Sequence, residues 1–255
     1  MTTTIAVGGK GGVGKTTVAA LLVQGLIRHG AKPVLAVDAD PNTCLDELLG
    51  VRASATVGSV REEARVLAGQ GRLPEGISKQ QLLELRIAES LVEAEDFDLV
   101  AMGRSEGPGC YCYANNVLRQ VITQLSDAYP WVVIDNEAGL ENLSRRIVRR
   151  VDWLVLVTDP SARGLTTVRR LHALAGEMEV AFDRCAIVVN RLRSSEPSDQ
   201  AQQLAAALRA DLLLGLPDDD ALARIAERGA AVEALPPSSP LLLALEPLLR
   251  SLTNP

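Results

Sequence analysis

The chain has 255 residues, of which 47% are hydrophobic and 23% charged, and its formal net charge is −6 at pH 7. This length and apolar content are enough for one large core, so we expect residues 1–255 to form a single α/β domain. The acidic balance leaves no broad basic face, which argues against sequence-independent nucleic-acid binding and against adhesion to anionic membranes.

The sequence carries neither a secretory signal nor a membrane span that we can recognise. Its N-terminus lacks a basic region followed by an apolar core of about 7 to 15 residues, and no apolar stretch approaches about 18 residues. We therefore expect a cytoplasmic protein with no membrane or nucleic-acid partner. In a reducing compartment its four cysteines are expected to be thiols or metal ligands rather than disulfides.

Short β-branched runs alternate along the chain with helical periods, which is the pattern of a doubly wound, mostly parallel sheet flanked by helices. The strands are predicted near residues 3–8, 33–38, 97–102, 131–135, 153–158, 185–190 and 212–215. An amphipathic stretch near 78–94 is predicted to form an insertion, and the prolines within 236–240 to precede a last helix. Ligands bind at the carboxyl ends of strands in such sheets, so motifs found there should converge.

The first predicted strand leads directly into a glycine-rich loop with the pattern G-x-x-x-x-G-K-T. Glycines let backbone N–H groups turn toward phosphates, the lysine reaches the outer phosphates, and the threonine hydroxyl binds Mg²⁺. A strand before the loop and a helix after it favour this interpretation over a simple tight turn. The fold is therefore predicted to be a P-loop NTPase, with nucleotide-binding residues Gly9, Lys10, Gly11, Gly12, Val13, Gly14, Lys15, Thr16 and Thr17.

Acidic residues follow the second and fourth main predicted strands. Asp38 and Asp40 can support the Mg²⁺ shell and orient a water for attack on the terminal phosphate, although a plain Asx turn before Pro41 is an alternative. Asp135 ends an apolar run and is predicted to be the Walker-B aspartate, although it could instead cap a helix beginning near residue 140. The predicted magnesium ligands are thus Thr16, Asp38 and Asp135.

Two later segments are predicted to hold the base of the nucleotide. Asn190 and Arg191 end an apolar strand, where they are positioned to hydrogen-bond and stack on a purine. Pro217 follows the last predicted strand and is expected to form a second wall of the base pocket.

A second lysine lies inside the loop, Lys10 in the run Lys10-Gly11-Gly12-Val13-Gly14-Lys15-Thr16. This run resembles the deviant Walker A of the dimeric ATPases that include the nitrogenase iron protein, the MinD and ParA proteins and the scaffold-type iron-sulfur carriers. The resemblance implies an ATP-hydrolysing homodimer in which Lys10 reaches the partner's nucleotide, much as an arginine finger does. Lys10, Lys15 and Asp40 are then the predicted catalytic residues.

A C-x-C motif follows the strand predicted at 97–102, in the run Gly107-Pro108-Gly109-Cys110-Tyr111-Cys112. In an extended segment, residues two apart share a face, so Cys110 and Cys112 can aim both thiols together. A two-fold axis beside them would supply four thiolates, which suit Zn²⁺ or Ni²⁺ and could also hold an iron–sulfur cluster. The alternatives are two buried hydrophobic cysteines or a strained disulfide.

The C-x-C loop, the segment 38–42 and the segment 135–146 together resemble the CooC-type ATPases, and the resemblance runs from the P-loop to at least Arg191. It implies a homodimer whose ATP state closes around nickel, or zinc, held by Cys110 and Cys112 of both subunits. It also implies nickel insertion into carbon monoxide dehydrogenase as the client. A MinD- or ParA-like positioning ATPase, an iron-sulfur carrier or reductase, and a monomeric metabolite kinase remain as alternatives.

Overall fold

The computed structural model describes residues 2–70, 76, 79–104, 122–123, 125, 128–138, 150–194 and 196–253. The strands of this part of the chain are β1 (Thr3–Gly9), β2 (Val34–Asp38), β3 (Val92–Glu93), β4 (Phe97–Ala101), β5 (Trp131–Asp135), β6 (Arg150–Thr158), β7 (Ala181–Leu192) and β8 (Leu212–Pro217). They form one sheet in the order β3-β4-β2-β5-β1-β6-β7-β8. Every neighbouring pair is parallel except β3 and β4, which are antiparallel.

Helices cover both faces of this sheet. Within the described ranges they are α1 (Lys15–Arg28), α2 (Leu45–Leu49), α3 (Val57–Gly69), α4 (Lys79–Glu89), α5 (Ala162–Glu177), α6 (Asp199–Leu208), α7 (Asp220–Arg228) and α8 (Pro240–Thr253). No helix among these is long and apolar enough to cross a bilayer.

The strands are largely apolar because both faces of the sheet are covered. Ile5 and Val7 of β1 belong to the hydrophobic cluster that packs under α1 and α8. Ala6, between them, belongs to the cluster under α5 and α6 on the opposite face. Because successive side chains of a strand point to opposite faces of the sheet, β1 contributes to two separate cores.

The predicted fold class is confirmed, and the seven predicted strands are all present. The two-residue strand β3 was missed because it is too short to carry an alternating pattern, and it lies in the stretch 78–94 that was predicted to be an amphipathic insertion. Strand β7 begins four residues before its predicted start. The prediction missed residues 181–184 because they alternate between exposed and half-buried positions instead of forming an apolar run.

The strand order sets the position of the site. Strand β1 lies between β5 and β6, and β2 lies on the far side of β5. Asp38 at the end of β2 is the register partner of Asp135 at the end of β5. The loop that leaves β1 therefore starts beside the strand that ends in Asp135, which is itself adjacent to the strand that ends in Asp38.

Candidate nucleotide site

Left-handed glycines shape the loop between β1 and α1. Gly12 and Gly14 have φ angles of 79° and 91°, a region that only glycine enters at little cost. Gly14 is also the N-cap of α1, and it has no side chain that could accept from the first-turn N–H groups. Those groups therefore stay available to an anion, as the sequence motif predicts.

The two loop lysines occupy different environments. Lys15 is only 7% exposed, and its Nζ donates to the carbonyl oxygen of Lys10 at 3.3 Å. The side chain of Lys10 is exposed. Hydrogen bonds from Ser161 lower the pKa of Asp159 against the opposing effect of burial, and the charges of Lys10 and Arg191 lower it further. Lys10 thus lies within electrostatic reach of a carboxylate that follows β6.

Asp38 fixes the loop that follows β2. Its Oδ1 accepts the N–H of Asp40 at 3.0 Å, and its Oδ2 accepts the N–H groups of Cys44 and Leu45 at 2.9 and 3.0 Å. Burial raises the pKa of Asp38 to about 6 against these three hydrogen bonds. Asp40 in turn accepts the N–H of Asn42 at 2.8 Å. The Asx turn considered from the sequence is therefore present.

Asp135 differs from Asp38 and Asp40 in the hydrogen bonding of its carboxylate. It is 1% exposed, and no described group donates a hydrogen bond of ordinary geometry to either oxygen. Burial raises the pKa of Asp135 to about 7, although the nearby Thr16 hydroxyl and the Lys15 charge favour the ionised form. A buried carboxylate without donors is costly unless a cation neutralises it. Asp135 and Thr16 therefore fit a Mg²⁺ ion, whereas the oxygens of Asp38 already accept backbone hydrogen bonds.

The three residues predicted to hold the base lie on two neighbouring strands. Pro217 of β8 is the register partner of Leu192 of β7, one residue beyond Arg191. Asn190, however, uses both ends of its amide within the protein: Nδ2 donates to the carbonyl of Val13 at 2.8 Å, and Oδ1 accepts the N–H of Arg191 at 2.9 Å. Asn190 thus supports the phosphate loop through the Val13 carbonyl. The sequence interpretation did not assign this role to it.

The predicted metal ligands Cys110 and Cys112 lie outside the described residues. Within the described part of the chain, no group of three or more His, Cys, Asp or Glu residues has the arrangement of a metal site. The other two cysteines differ in environment, because Cys44 is exposed and Cys185 is buried in β7.

Sequence reasoning did not assign a role to Asn136. Its side-chain Nδ2 donates to the carbonyl oxygen of Val7 at 2.9 Å, and its backbone N–H donates to the same oxygen at 3.1 Å. Its Oδ1 is buried without a partner among the described residues. Asn136 therefore ties the end of β5 to β1, and its position directly after Asp135 was the available signal.

Comparison with known proteins points to a family of nucleotide-binding domains. Residues 4–232 match the family described as CbiA, the CobQ/CobB/MinD/ParA nucleotide binding domain. The chain is 41% identical over 250 residues to an uncharacterized ATP-binding protein of Methanocaldococcus jannaschii, a match that covers 98% of each chain. It is 31% identical over 248 residues to the carbon monoxide dehydrogenase accessory protein CooC of Rhodospirillum rubrum, covering 92% of this chain and 90% of that protein.

Solved structures agree in fold. The septum site-determining protein MinD of Pyrococcus horikoshii, complexed with Mg-ADP, superposes with a TM-score of 0.72 at 24% identity over 100% of this chain and 97% of that one. A ParA family ATPase of Chlorobium tepidum superposes with a TM-score of 0.71 at 20% identity, over 97% of each chain.

Proposed function

The chain belongs to the CobQ/CobB/MinD/ParA family of nucleotide-binding domains, and from that premise we propose that it is a homodimeric ATPase that carries nickel to carbon monoxide dehydrogenase. The similarity to CooC over 92% of the chain, together with the C-x-C motif at Cys110 and Cys112, supports the metal and the client. The proposal that the protein is an ATPase is supported by the phosphate loop and by the buried Asp135 carboxylate, whose oxygens have no hydrogen-bond partner of ordinary geometry among the described residues.

ATP binds at the loop between β1 and α1. The N–H groups at the start of α1 donate to the phosphate oxygens, and Lys15 exchanges its bond to the Lys10 carbonyl for the outer phosphate oxygens. Thr16 and Asp135 would hold Mg²⁺, while Asp38 fixes the loop that carries Asp40 by accepting three backbone N–H groups. Bound there, the ion would supply positive charge that stabilises the phosphates during transfer. Asp40 orients the attacking water.

The base lies between Arg191 and Pro217, on the neighbouring strands β7 and β8. Arg191 is exposed and has a φ of 59°, a left-handed geometry uncommon for a residue with a side chain. Its guanidinium is suited to stack on a purine, while Asn190 keeps the phosphate loop in place.

Dimer closure couples ATP to the metal. Lys10 is exposed and free to cross to the partner's nucleotide, so the closed dimer depends on phosphate charge that disappears after hydrolysis and release. Closure brings Cys110 and Cys112 of both subunits to the two-fold axis, where four thiolates take nickel or zinc. Reopening then releases the metal to the client. The protein acts in the cytoplasm without a membrane or nucleic-acid partner.

Anaerobic nickel binding, measured by elemental analysis with MgADP present, tests this function. Wild type is compared with a Cys110→Ser/Cys112→Ser double variant. We expect about one tightly bound nickel per dimer in the wild type and none in the double variant. Equal nickel in both proteins, or none in either, would overturn nickel delivery. A brown colour after anaerobic purification would favour an iron-sulfur carrier, and a colourless nickel-free protein a positioning ATPase.

A further inference from the structure

A carboxylate lies between two exposed cations at the carboxyl end of the sheet. Strand β6 has β1 on one side and β7 on the other, and it is parallel to both. Asp159 directly follows β6, Lys10 directly follows β1, and Arg191 is the second-last residue of β7. Gly9, which precedes Lys10, is the register partner of Val157 in β6. The three charged residues therefore leave neighbouring strands at the same edge.

The turn before α5 holds the Asp159 carboxylate in place. Its Oδ1 accepts the N–H of Ser161 at 2.8 Å. Ser161 is also the N-cap of α5, and its Oγ accepts the N–H of Gly164 at 3.0 Å. A β-carbon on Gly164 would collide with Asp159 Oδ1 and with the Thr158 hydroxyl. The start of the helix thus packs directly on this carboxylate, which restricts its movement.

Asp159 is a fixed negative charge, whereas the two cations beside it are exposed side chains. Hydrogen bonds from Ser161 hold the pKa of Asp159 below its ordinary value, so the carboxyl is ionised at neutral pH. The charges of Lys10 and Arg191 act in the same direction. In the part of the chain that the structure describes, none of the direct ion pairs involves these three residues. The attraction therefore acts through space, and Lys10 can leave without breaking a contact.

We propose that Asp159 is a positioning residue that keeps Lys10 on its own subunit until the phosphates of the partner's nucleotide attract it. This inference rests on the proposed function, because it takes Lys10 to cross to the partner's nucleotide. Asp159 then opposes closure of the dimer in the absence of phosphate charge.

The opposition follows from the charges that Lys10 exchanges. In the open protein the lysine lies in the field of one carboxylate, and in the closed dimer it meets the several negative charges of a triphosphate. Coulomb attraction to the phosphates exceeds attraction to the single carboxylate, so closure proceeds only when nucleotide is bound. Arg191 stays beside Asp159 after Lys10 has left, and its positive charge reduces the cost of leaving that carboxylate behind.

The affinity of the dimer tests this role. Asp159→Asn keeps an oxygen for the Ser161 N–H and removes the charge. Sedimentation velocity at saturating Mg-AMPPNP should give a dimer Kd about threefold or more below that of the wild type, because exposed charges interact weakly but each dimer releases two lysines. At about 1 M salt, where the Debye length is about 3 Å, the difference between the two proteins should shrink. Asp159→Ser, which also keeps an acceptor, should behave like Asp159→Asn.

Two controls separate the action on Lys10 from a general effect of charge. Glu177→Gln removes one negative charge from the exposed far end of α5, so it changes the net charge as Asp159→Asn does, and it should dimerise like the wild type. Asp159→Asn combined with Lys10→Ala should stay monomeric, because no lysine is left to release.

Three outcomes would overturn the role of Asp159 while the wild type still forms an ATP-dependent dimer, and they would leave the proposed function standing. They are a dimer Kd in Asp159→Asn and Asp159→Ser equal to or above that of the wild type, an equal gain in Glu177→Gln, and dimerisation of the Lys10→Ala/Asp159→Asn protein. A wild type that stays monomeric with Mg-AMPPNP would instead overturn the dimer of the proposed function, and this inference with it.

Discussion

Asp135 carries a charge that the folded protein stabilises poorly without a cation. Above its pKa of about 7 the buried carboxyl is ionised, and the Thr16 hydroxyl and the Lys15 charge offset the cost of burial only in part. At pH 8, Asp135→Asn should therefore raise the unfolding temperature of the nucleotide-free protein while removing the further rise that MgADP gives the wild type. Differential scanning fluorimetry with MgADP, and with ADP plus EDTA, measures both effects. A full MgADP-dependent rise in the variant would contradict the role of Asp135 as a magnesium ligand.

Asn190 offers a choice between two roles, base recognition and support of the phosphate loop. Its bond to the buried Val13 carbonyl favours support, because its loss leaves a buried acceptor unsatisfied. Asn190→Ala should weaken ADP and GDP binding by similar factors of about tenfold, as expected for a loss of about 1.4 kcal/mol. Isothermal titration calorimetry with both nucleotides measures this. A loss confined to ADP would mean that Asn190 reads the base instead.

Helix α7 begins at a capping carboxylate that also contacts the segment before α8. Asp219 accepts the N–H groups of Ala221 and Leu222, and the Ser239 hydroxyl donates to it at 2.8 Å. Burial raises the pKa of Asp219, but these hydrogen bonds outweigh it and the net shift is downward. Asp219→Ala should cost about 1 kcal/mol of stability at pH 7, and Ser239→Ala should cost less.

The stability difference between the wild type and Asp219→Ala should depend on pH. Because the folded pKa is lowered, the stabilisation is complete above the unfolded pKa and is lost as pH falls through the folded pKa. Urea denaturation at a series of pH values should therefore show the two proteins converging in acid. A difference that grew as pH fell would have the wrong sign for a capping carboxylate.

Helices α1 and α8 approach each other at a glycine. A β-carbon on Gly25 would collide with the side chain of Leu249, which is buried. Alanine gains up to about 1 kcal/mol of helix propensity over glycine, but overpacking costs about 1 to 3 kcal/mol, so Gly25→Ala should destabilise. Gly176→Ala is the matched control, because nothing lies near its β-carbon and it should stabilise α5. Thermal unfolding measures both, and a stabilised Gly25→Ala protein would mean that Leu249 moves aside.

The dimer proposed for the whole molecule depends on one exposed lysine. Lys10→Ala should bind ATP as a monomer with little change in affinity, but should lose ATP-dependent dimerisation and most of its hydrolysis. Sedimentation velocity and a phosphate-release assay measure the two losses. Lys32→Ala is the control, since Lys32 is exposed, precedes β2 and pairs with Asp96 at 2.7 Å, at the opposite end of that strand from the phosphate loop. Wild-type dimerisation by Lys10→Ala would remove the basis for coupling closure to ATP.

Some predictions from the sequence agreed with the structure because their causes are local. The phosphate loop lies within a few residues of both β1 and α1, so strand, glycines and helix are contiguous in the chain. Short apolar runs, such as residues 34–37 and 131–134, marked the buried strands. Strand β3 has two residues and joins the sheet by pairing with β4. Its own sequence is too short to show the alternation that is typical of a strand.

The sequence alone predicted the fold class, the phosphate loop and the carboxylates at the ends of β2 and β5. These follow from periodicity and from spacing along the chain, which need no knowledge of distant neighbours. Only the folded structure shows that Asp38 accepts three backbone N–H groups while neither oxygen of Asp135 accepts one, and that Asn190 supports Val13 from 177 residues away. It also decided that Asn42 meets Arg104 across 62 residues. Hydrogen bonding and desolvation depend on which groups the packed sheet and loops bring together, and that is set only when distant segments meet.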